Sequence, residues 1–171
     1  QVFRERAARN GRKVALREKE FGIWQRVTWG EYLEHVKYFA LGLLELGFQR
    51  EEHLAIISEN CREWLYADLA CISLGGVTLG VYPTSPYPEV HYVVQHSDSV
   101  MVLCEDQEQT DKILKVMDEL PKLKKIIVID MKGLRRYSRD YIISFEEVEA
   151  LGRELDRREP DRFDREANRG S

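Results

Sequence analysis

The sequence predicts an α/β fold: a three-layer arrangement with a mostly parallel central sheet, helices on both faces, and an N-terminal hairpin. Three observations carry that prediction. Short unbroken apolar runs such as Leu54-Ala55-Ile56-Ile57 recur along the chain, and a strand apolar at every position is one covered on both faces. Between these runs lie stretches whose apolar residues repeat at helical spacing, and strands alternating with crossover helices build a parallel sheet. Finally, 171 residues, 43% hydrophobic and 33% charged, suffice for one ordinary domain with its own core.

The elements follow in order. A short helix is expected near residues 3–9. Val14-Ala15-Leu16-Arg17 and Ile23-Trp24-Gln25-Arg26-Val27 flank Glu20-Phe21-Gly22 as an antiparallel hairpin. Thr28 and Glu31 form a capping box, the hydroxyl accepting from a free amide while the carboxylate reaches back. The helix they open carries Trp29, Tyr32, Leu33, Val36, Phe39, Ala40, Leu43 and Leu44 on one face, and Gly47 supplies its left-handed exit. After a strand at 54–57, Asn60 and Glu63 read as a second capping box, opening a helix that stops at Gly75-Gly76. A strand at 77–81 leads into the stiff loop Tyr82-Pro83-Thr84-Ser85-Pro86-Tyr87-Pro88 and a short helix ending at His96. Strands at 100–104 and 126–129 bracket a helix over 107–119. The pattern loosens after Asp130, and a third capping box, Ser144 with Glu147, starts a helix running to about Leu155. Residues 1–152 are thus one α/β unit, while 153–171, interleaved Arg, Asp and Glu around a lone Phe163, read as a charged linker.

Composition excludes several classes. With 30 acids against 26 bases the net charge is -4, which offers no bulk attraction to nucleic acid or anionic lipid. Cys61, Cys71 and Cys104 match no zinc or redox spacing, so free thiols of a reducing compartment are expected. The N-terminus holds no apolar stretch of signal-peptide length, which makes the cytoplasm the expected location, with peripheral attachment to a membrane surface left open. Residues 69–88 carry no charge, about the span of a transmembrane helix, but Gly75-Gly76 and Pro83, Pro86 and Pro88 interrupt them. A buried or cleft-facing segment is expected there, not a membrane span. A first residue of Gln rather than Met, with a charged tail at the other end, points to a piece of a larger protein.

Ligands of a parallel sheet collect at the C-terminal ends of its strands. The turn Ser58-Glu59-Asn60-Cys61-Arg62 lacks the glycines of a dinucleotide site, and Cys104-Glu105-Asp106-Gln107 sets acids where a phosphate would be repelled. The candidate that remains is Tyr82, Pro83, Thr84 and Ser85: prolines for rigidity, two hydroxyls, and the flat faces of Tyr82 and Tyr87 for an acyl chain or an adenine. The competing reading, favoured on the residues alone, is a structural turn with Ser85 capping the next helix and Pro86 at its first position. His91 and His96 stand five apart, off the shared face a metal pair needs, and no catalytic residue or metal ligand set is identified. Arg135 and Arg136 read as exposed loop charge.

Read as one string, residues 27–104 resemble the N-terminal region of adenylate-forming acyl-CoA synthetases, closest to the long-chain fatty acid group. The resemblance rests on Val27-Thr28-Trp29-Gly30-Glu31-Tyr32, Leu43-Leu44-Glu45-Leu46-Gly47, His53-Leu54-Ala55-Ile56-Ile57-Ser58-Glu59-Asn60, Glu63-Trp64, Ala70-Cys71-Ile72-Ser73-Leu74-Gly75-Gly76-Val77 and Val81-Tyr82-Pro83-Thr84-Ser85-Pro86. Gly133-Leu134-Arg135-Arg136-Tyr137 and Ile143-Ser144-Phe145-Glu146-Glu147 extend it over nearly the whole chain. It implies part of a large N-terminal lobe in an AMP-dependent long-chain fatty acid CoA ligase. Such an enzyme uses ATP, Mg²⁺ and CoA to convert a fatty acid through an acyl-adenylate into acyl-CoA, AMP and pyrophosphate. The family's phosphate loop, adenine segment, ribose-binding Asp and C-terminal Lys have no match here, so this piece is expected to be inactive alone and to bind none of those cofactors tightly. The partners implied are the small-molecule substrates and the rest of the chain, with a homodimer left open. Tyr82, Pro83, Thr84 and Ser85 fall where relatives carry a loop near coenzyme A, which implies a thioester-side or cleft role. One departure is Gln49-Arg50-Glu51-Glu52, where the family shows a Gly-Asp turn. A ligase for another acid, and a free-standing α/β binding module, are the competing readings.

Overall fold

The computed structural model describes residues 2–169; Gln1, Gly170 and Ser171, which entered the expectations about the chain's ends, lie outside the described residues. Helix α1 (Val2–Asn10) precedes the hairpin of β1 (Val14–Glu20) and β2 (Ile23–Thr28). Phe21 and Gly22 join these strands, both at positive φ, the backbone that matches the twist of a tight antiparallel pair. Next come α2 (Trp29–Glu45), β3 (His53–Ile57), α3 (Arg62–Ser73), β4 (Val77–Val81), α4 (Tyr87–His96), β5 (Met101–Cys104) and α5 (Gln107–Leu114). The described chain closes with β6 (Lys125–Val128), β7 (Ile142–Ser144), α6 (Phe145–Arg158) and α7 (Arg162–Asn168).

Five strands form one parallel sheet in the order β4-β3-β5-β6-β7. From β3 the chain steps outward to β4, then crosses back to place β5 on the other side of β3, so the winding direction reverses between β3 and β5. Alternate strand residues serve opposite layers. Leu54, Ile56, Met101, Leu103 and Ile127 pack with α2, α3 and α6 through Phe39, Tyr66 and Val148. Ala55, Ile57, Val102, Cys104, Ile126 and Val128 pack with α4 and α5 through Val90, Val94 and Ile113. Both sets are buried, which is why the strands read as unbroken apolar runs.

Helices α2 and α6 cross almost backbone to backbone. A Cβ on Gly42 would overlap the Val148 carbonyl oxygen, and one on Gly152 would overlap that of Tyr38. Polar ties flank the crossing: Lys37 to Asp156 at 2.7 Å, Arg158 to Glu45 at 2.7 Å and His35 to Glu149 at 2.6 Å. The Thr28 and Ser144 capping boxes form as expected, Thr28 N–H donating to Glu31 at 2.7 Å and Ser144 N–H to Glu147 at 2.8 Å. These bonds to the backbone hold both carboxyls below the usual range.

Several details differ from the sequence reading. The cap of α3 is Cys61, with no side-chain cap bond, so Asn60 and Glu63 do not form a box. The cap of α4 is Pro86, not Ser85, with Pro88 in the first turn, where a missing N–H costs nothing. A three-residue strand, β7, lies in the stretch without periodicity, too short to show alternation. Where a linker is expected, residues 153–158 continue α6 and residues 162–168 form α7. Leu155 and Phe163 are buried in the α2 layer, Arg162 pairs with Glu166 at 3.1 Å, and Arg4 of α1 reaches Asn168 at 2.9 Å. Two apolar anchors in a charged sequence are enough to dock the segment.

Candidate functional site

Open α/β sheets bind ligands at the C-terminal ends of their strands, and here a crevice lies at the ends of β3 and β4, beside the β3–β5 reversal. A cleft of about 300 Å³ lies there, lined by Ser58, Glu59 and Asn60 after β3, by Gly80, Val81, Tyr82 and Pro83 at the end of β4, and by Trp64 of α3. A second groove of about 320 Å³ adjoins it, bounded by Leu16, Arg17 and Glu18 of β1 and by Cys61, Arg62 and Leu65. Asn60 and Trp64 belong to both, so the indole is the partition between them. Gly80 keeps the first cleft open over Trp64, whose ring an added Cβ would meet at 3.6 Å.

The electrostatics of the crevice are those expected from its acids. Glu59 N–H, which faces out of the strand end, donates to the Glu105 carboxylate at 2.7 Å. A protein acid thus takes this amide, and its charge at the end of β3 disfavours a phosphate there. Ser58 donates to the Glu59 carbonyl at 2.8 Å and lies 3.4 Å from the Cys61 sulfur. Burial pushes the Cys61 thiol up from its ordinary value, which leaves it protonated and a poor nucleophile. Cys71 and Cys104 are pushed up to about 12 by burial, and all three cysteines are free, although Cys61 is only half-buried.

The four residues singled out in the sequence divide here. Tyr82 and Pro83 line the cleft, and Tyr82 is 80% exposed. Thr84 and Ser85 lie outside it, on a turn in which Ser85 N–H donates to the Tyr82 carbonyl at 2.9 Å. The 58–62 turn has no glycines and offers Asn60 as a cap, and neither property marks it as a wall of the cleft. Trp64 carried a better signal, a large aromatic within the first turn of a helix that follows a strand end. His35 pairs with Glu149, His53 with the Ser97 carbonyl, and His96 stacks on Tyr92, while His91 Nε2 is buried without a hydrogen bond, 3.5 Å from Glu119. Among the described residues no group of three or more His, Cys, Asp and Glu side chains is placed to hold a metal ion, and Arg135 and Arg136 are exposed. No helix among them is long and apolar enough to cross a membrane, and residues 69–88 are divided among α3, β4, the loop and α4.

Comparison with known proteins agrees with this geometry. Long-chain-fatty-acid–CoA ligase ACSBG2 of Xenopus laevis is 33% identical over 155 residues, 91% of this chain and 21% of the relative. Long-chain-fatty-acid–CoA ligase ACSBG1 of Rattus norvegicus is 28% identical over the same length, so the chain spans 21% of each of these relatives. Among solved structures, coronafacic acid ligase from Pectobacterium brasiliense superposes with a TM-score of 0.76 at 22% identity, covering 86% of this chain and 28% of that one. The A-PCP didomain of a carboxylic acid reductase from Segniliparus rugosus, solved with AMP, gives 0.77 at 15% identity, covering 88% and 26%. These last two share the fold. The sequence profile described as AMP-binding enzyme matches residues 3–164, nearly the whole of the sheet, its helices and the crevice, and the chain therefore belongs to the AMP-binding enzyme family.

Proposed function

We propose that this chain is the N-terminal part of the large lobe of an ATP-dependent long-chain acyl-CoA synthetase. The whole enzyme joins a fatty acid to coenzyme A through an acyl-adenylate, with ATP, Mg²⁺ and CoA as its reactants and cofactors. The observation that carries the proposal is the continuous match, over 91% of the chain, to long-chain-fatty-acid–CoA ligases. The crevice supports it from the other side: aromatic Trp64 and Tyr82 with Pro83 wall it, and a protein acid holds the amide at the end of β3. The chemistry is then supplied by segments outside this chain, which on its own is inactive and binds none of the cofactors tightly. Tyr82, Pro83, Thr84 and Ser85 form the thioester side of the cleft, Tyr82 and Pro83 through its wall and Thr84 and Ser85 through the turn that shapes it. Free thiols at all three cysteines support a cytoplasmic location.

The experiment is an assay of the longer protein with ATP, Mg²⁺, CoA and either a sixteen-carbon fatty acid or acetate. Release of pyrophosphate and consumption of CoA thiol, both faster with the fatty acid, are expected. Preference for acetate would replace the substrate class, and release of pyrophosphate or consumption of CoA thiol with neither acid would overturn the proposal.

A further inference from the structure

Behind the cleft loop stand two lysines, Lys112 on α5 and Lys115 at its C-cap, and both reach toward the segment between β4 and α4. The Lys112 side chain is 16% exposed. Its ammonium donates to the Pro83 carbonyl at 2.5 Å and to Gln109 Oε1 at 3.0 Å, with Glu108 Oε1 at 3.4 Å. Two of the three ammonium protons are thus hydrogen-bonded, and Glu108 adds an ion pair on the same side. Lys115 places its Nζ 3.6 Å from the centroid of the Tyr87 ring, a cation–π contact at the far end of the same loop. Between these anchors Ser85 N–H closes the turn on the Tyr82 carbonyl.

Ordering and covering a lysine costs side-chain entropy and hydration, and a proline-stiffened turn on the surface does not need one to hold its shape. What the lysine adds is placement. Pro83 has a single backbone polar group to offer, its carbonyl, and through that group Lys112 fixes the loop against a helix 29 residues further along the chain. The Tyr82 ring, one residue earlier, is free to meet a ligand, while the backbone beneath it is tied.

We propose that Lys112 is a positioning residue, which holds the Tyr82–Pro83 wall of the cleft in one conformation so that the thiol substrate meets a preformed surface. This rests on the reading above, in which the loop lies on the coenzyme A side. The ammonium is occupied by loop and helix oxygens, so it acts through Pro83 and not on the ligand itself. Lys115, exposed and attached only to a ring, plays the lesser part.

Two measurements test the proposal. Amide exchange on this chain reads the brace directly: Lys112→Met should speed exchange at Ser85 by about tenfold, the effect expected for losing a charge-assisted bond, with strand amides unchanged. Lys115→Met, at an exposed position that does not threaten folding, should give a smaller change in the same direction, and Lys112→Arg should restore slow exchange. In the longer enzyme, Lys112→Met should raise KM for CoA by about tenfold while kcat and ATP–pyrophosphate exchange with the fatty acid stay near wild type. Unchanged loop exchange in Lys112→Met overturns the brace. Faster exchange with an unchanged KM for CoA in an active enzyme overturns the positioning role. A wild-type enzyme that forms no thioester rejects the functional reading instead, and the exchange experiment still decides the brace.

Discussion

The crossing of α2 with α6 and the crevice at the end of β4 solve opposite problems with the same residue type. At the crossing, Gly42 and Gly152 remove side chains so that two helix backbones touch, leaving no room for a Cβ. At the crevice, Gly80 removes a side chain and the space stays open, with ordinary contact distance to Trp64. One glycine pair closes the fold and the other glycine keeps a cleft. The lesson is that tightness and openness are segregated: the helix layer that anchors the C-terminal segment tolerates no added volume, while the strand ends expose aromatic surface held from behind.

This contrast can be broken most severely at the crossing. Gly152→Ala should cost about 3 kcal/mol, because the added methyl meets backbone that can only retreat by separating the helices; urea unfolding measures it. A change within 0.5 kcal/mol, the size of an ordinary surface substitution, would mean that the crossing is looser than described. Ser144→Ala comes next, at about 1 kcal/mol, since it removes the hydroxyl that accepts from Glu147 N–H at the start of α6.

Smaller still is the effect of pH on the crossing. The Glu149 carboxylate, accepting from His35 at 2.6 Å, raises the imidazole above its ordinary 6.5, against burial and the nearby Arg153, while Glu34 adds a little in the same direction. A group raised on folding stabilises fully below its unfolded value and loses that contribution as pH rises through the folded one. The melting temperature should therefore fall as pH increases above 6.5, and Glu149→Gln should flatten the decline. A melting temperature that rises over that range in the wild type but not in the variant would contradict the assignment. The smallest change is expected in the crevice: Tyr82→Ala, at an 80% exposed position, should alter stability by less than about 0.5 kcal/mol.

The same segregation explains what was legible in the sequence. Strands buried on both faces appear as apolar runs, and capping boxes such as Thr28 with Glu31 announce themselves through two residues at fixed spacing. Asn60 with Glu63 has that spacing as well, yet the helix starts one residue later, on Cys61. Spacing alone does not say which residue takes the extended backbone of a cap. Strand β7 and helix α7 were invisible for different reasons. The first has three residues, and the second is held by Phe163 and by the long-range pair of Arg4 with Asp164, which no local window contains. The departure at Glu51 gains a meaning: it sits at φ +67°, so the turn keeps a backbone that favours glycine although a glutamate occupies it. In the crevice, Tyr82 and Pro83 could be found from the loop's composition, whereas the acid of Glu105 on the amide of Glu59 joins residues 46 apart and emerges only from the parallel register of β3 with β5.

A sheet whose β3 strand-end amide is held by a protein acid is the core of the functional reading, and calorimetric titration of this chain with MgATP tests it most directly. No saturable binding is expected up to about millimolar nucleotide, because the strand-end amide that could greet a phosphate is already occupied by Glu105. Micromolar binding that disappears when Thr84 and Ser85 are both changed to alanine would contradict it, and would make the 82–85 loop a nucleotide site in its own right.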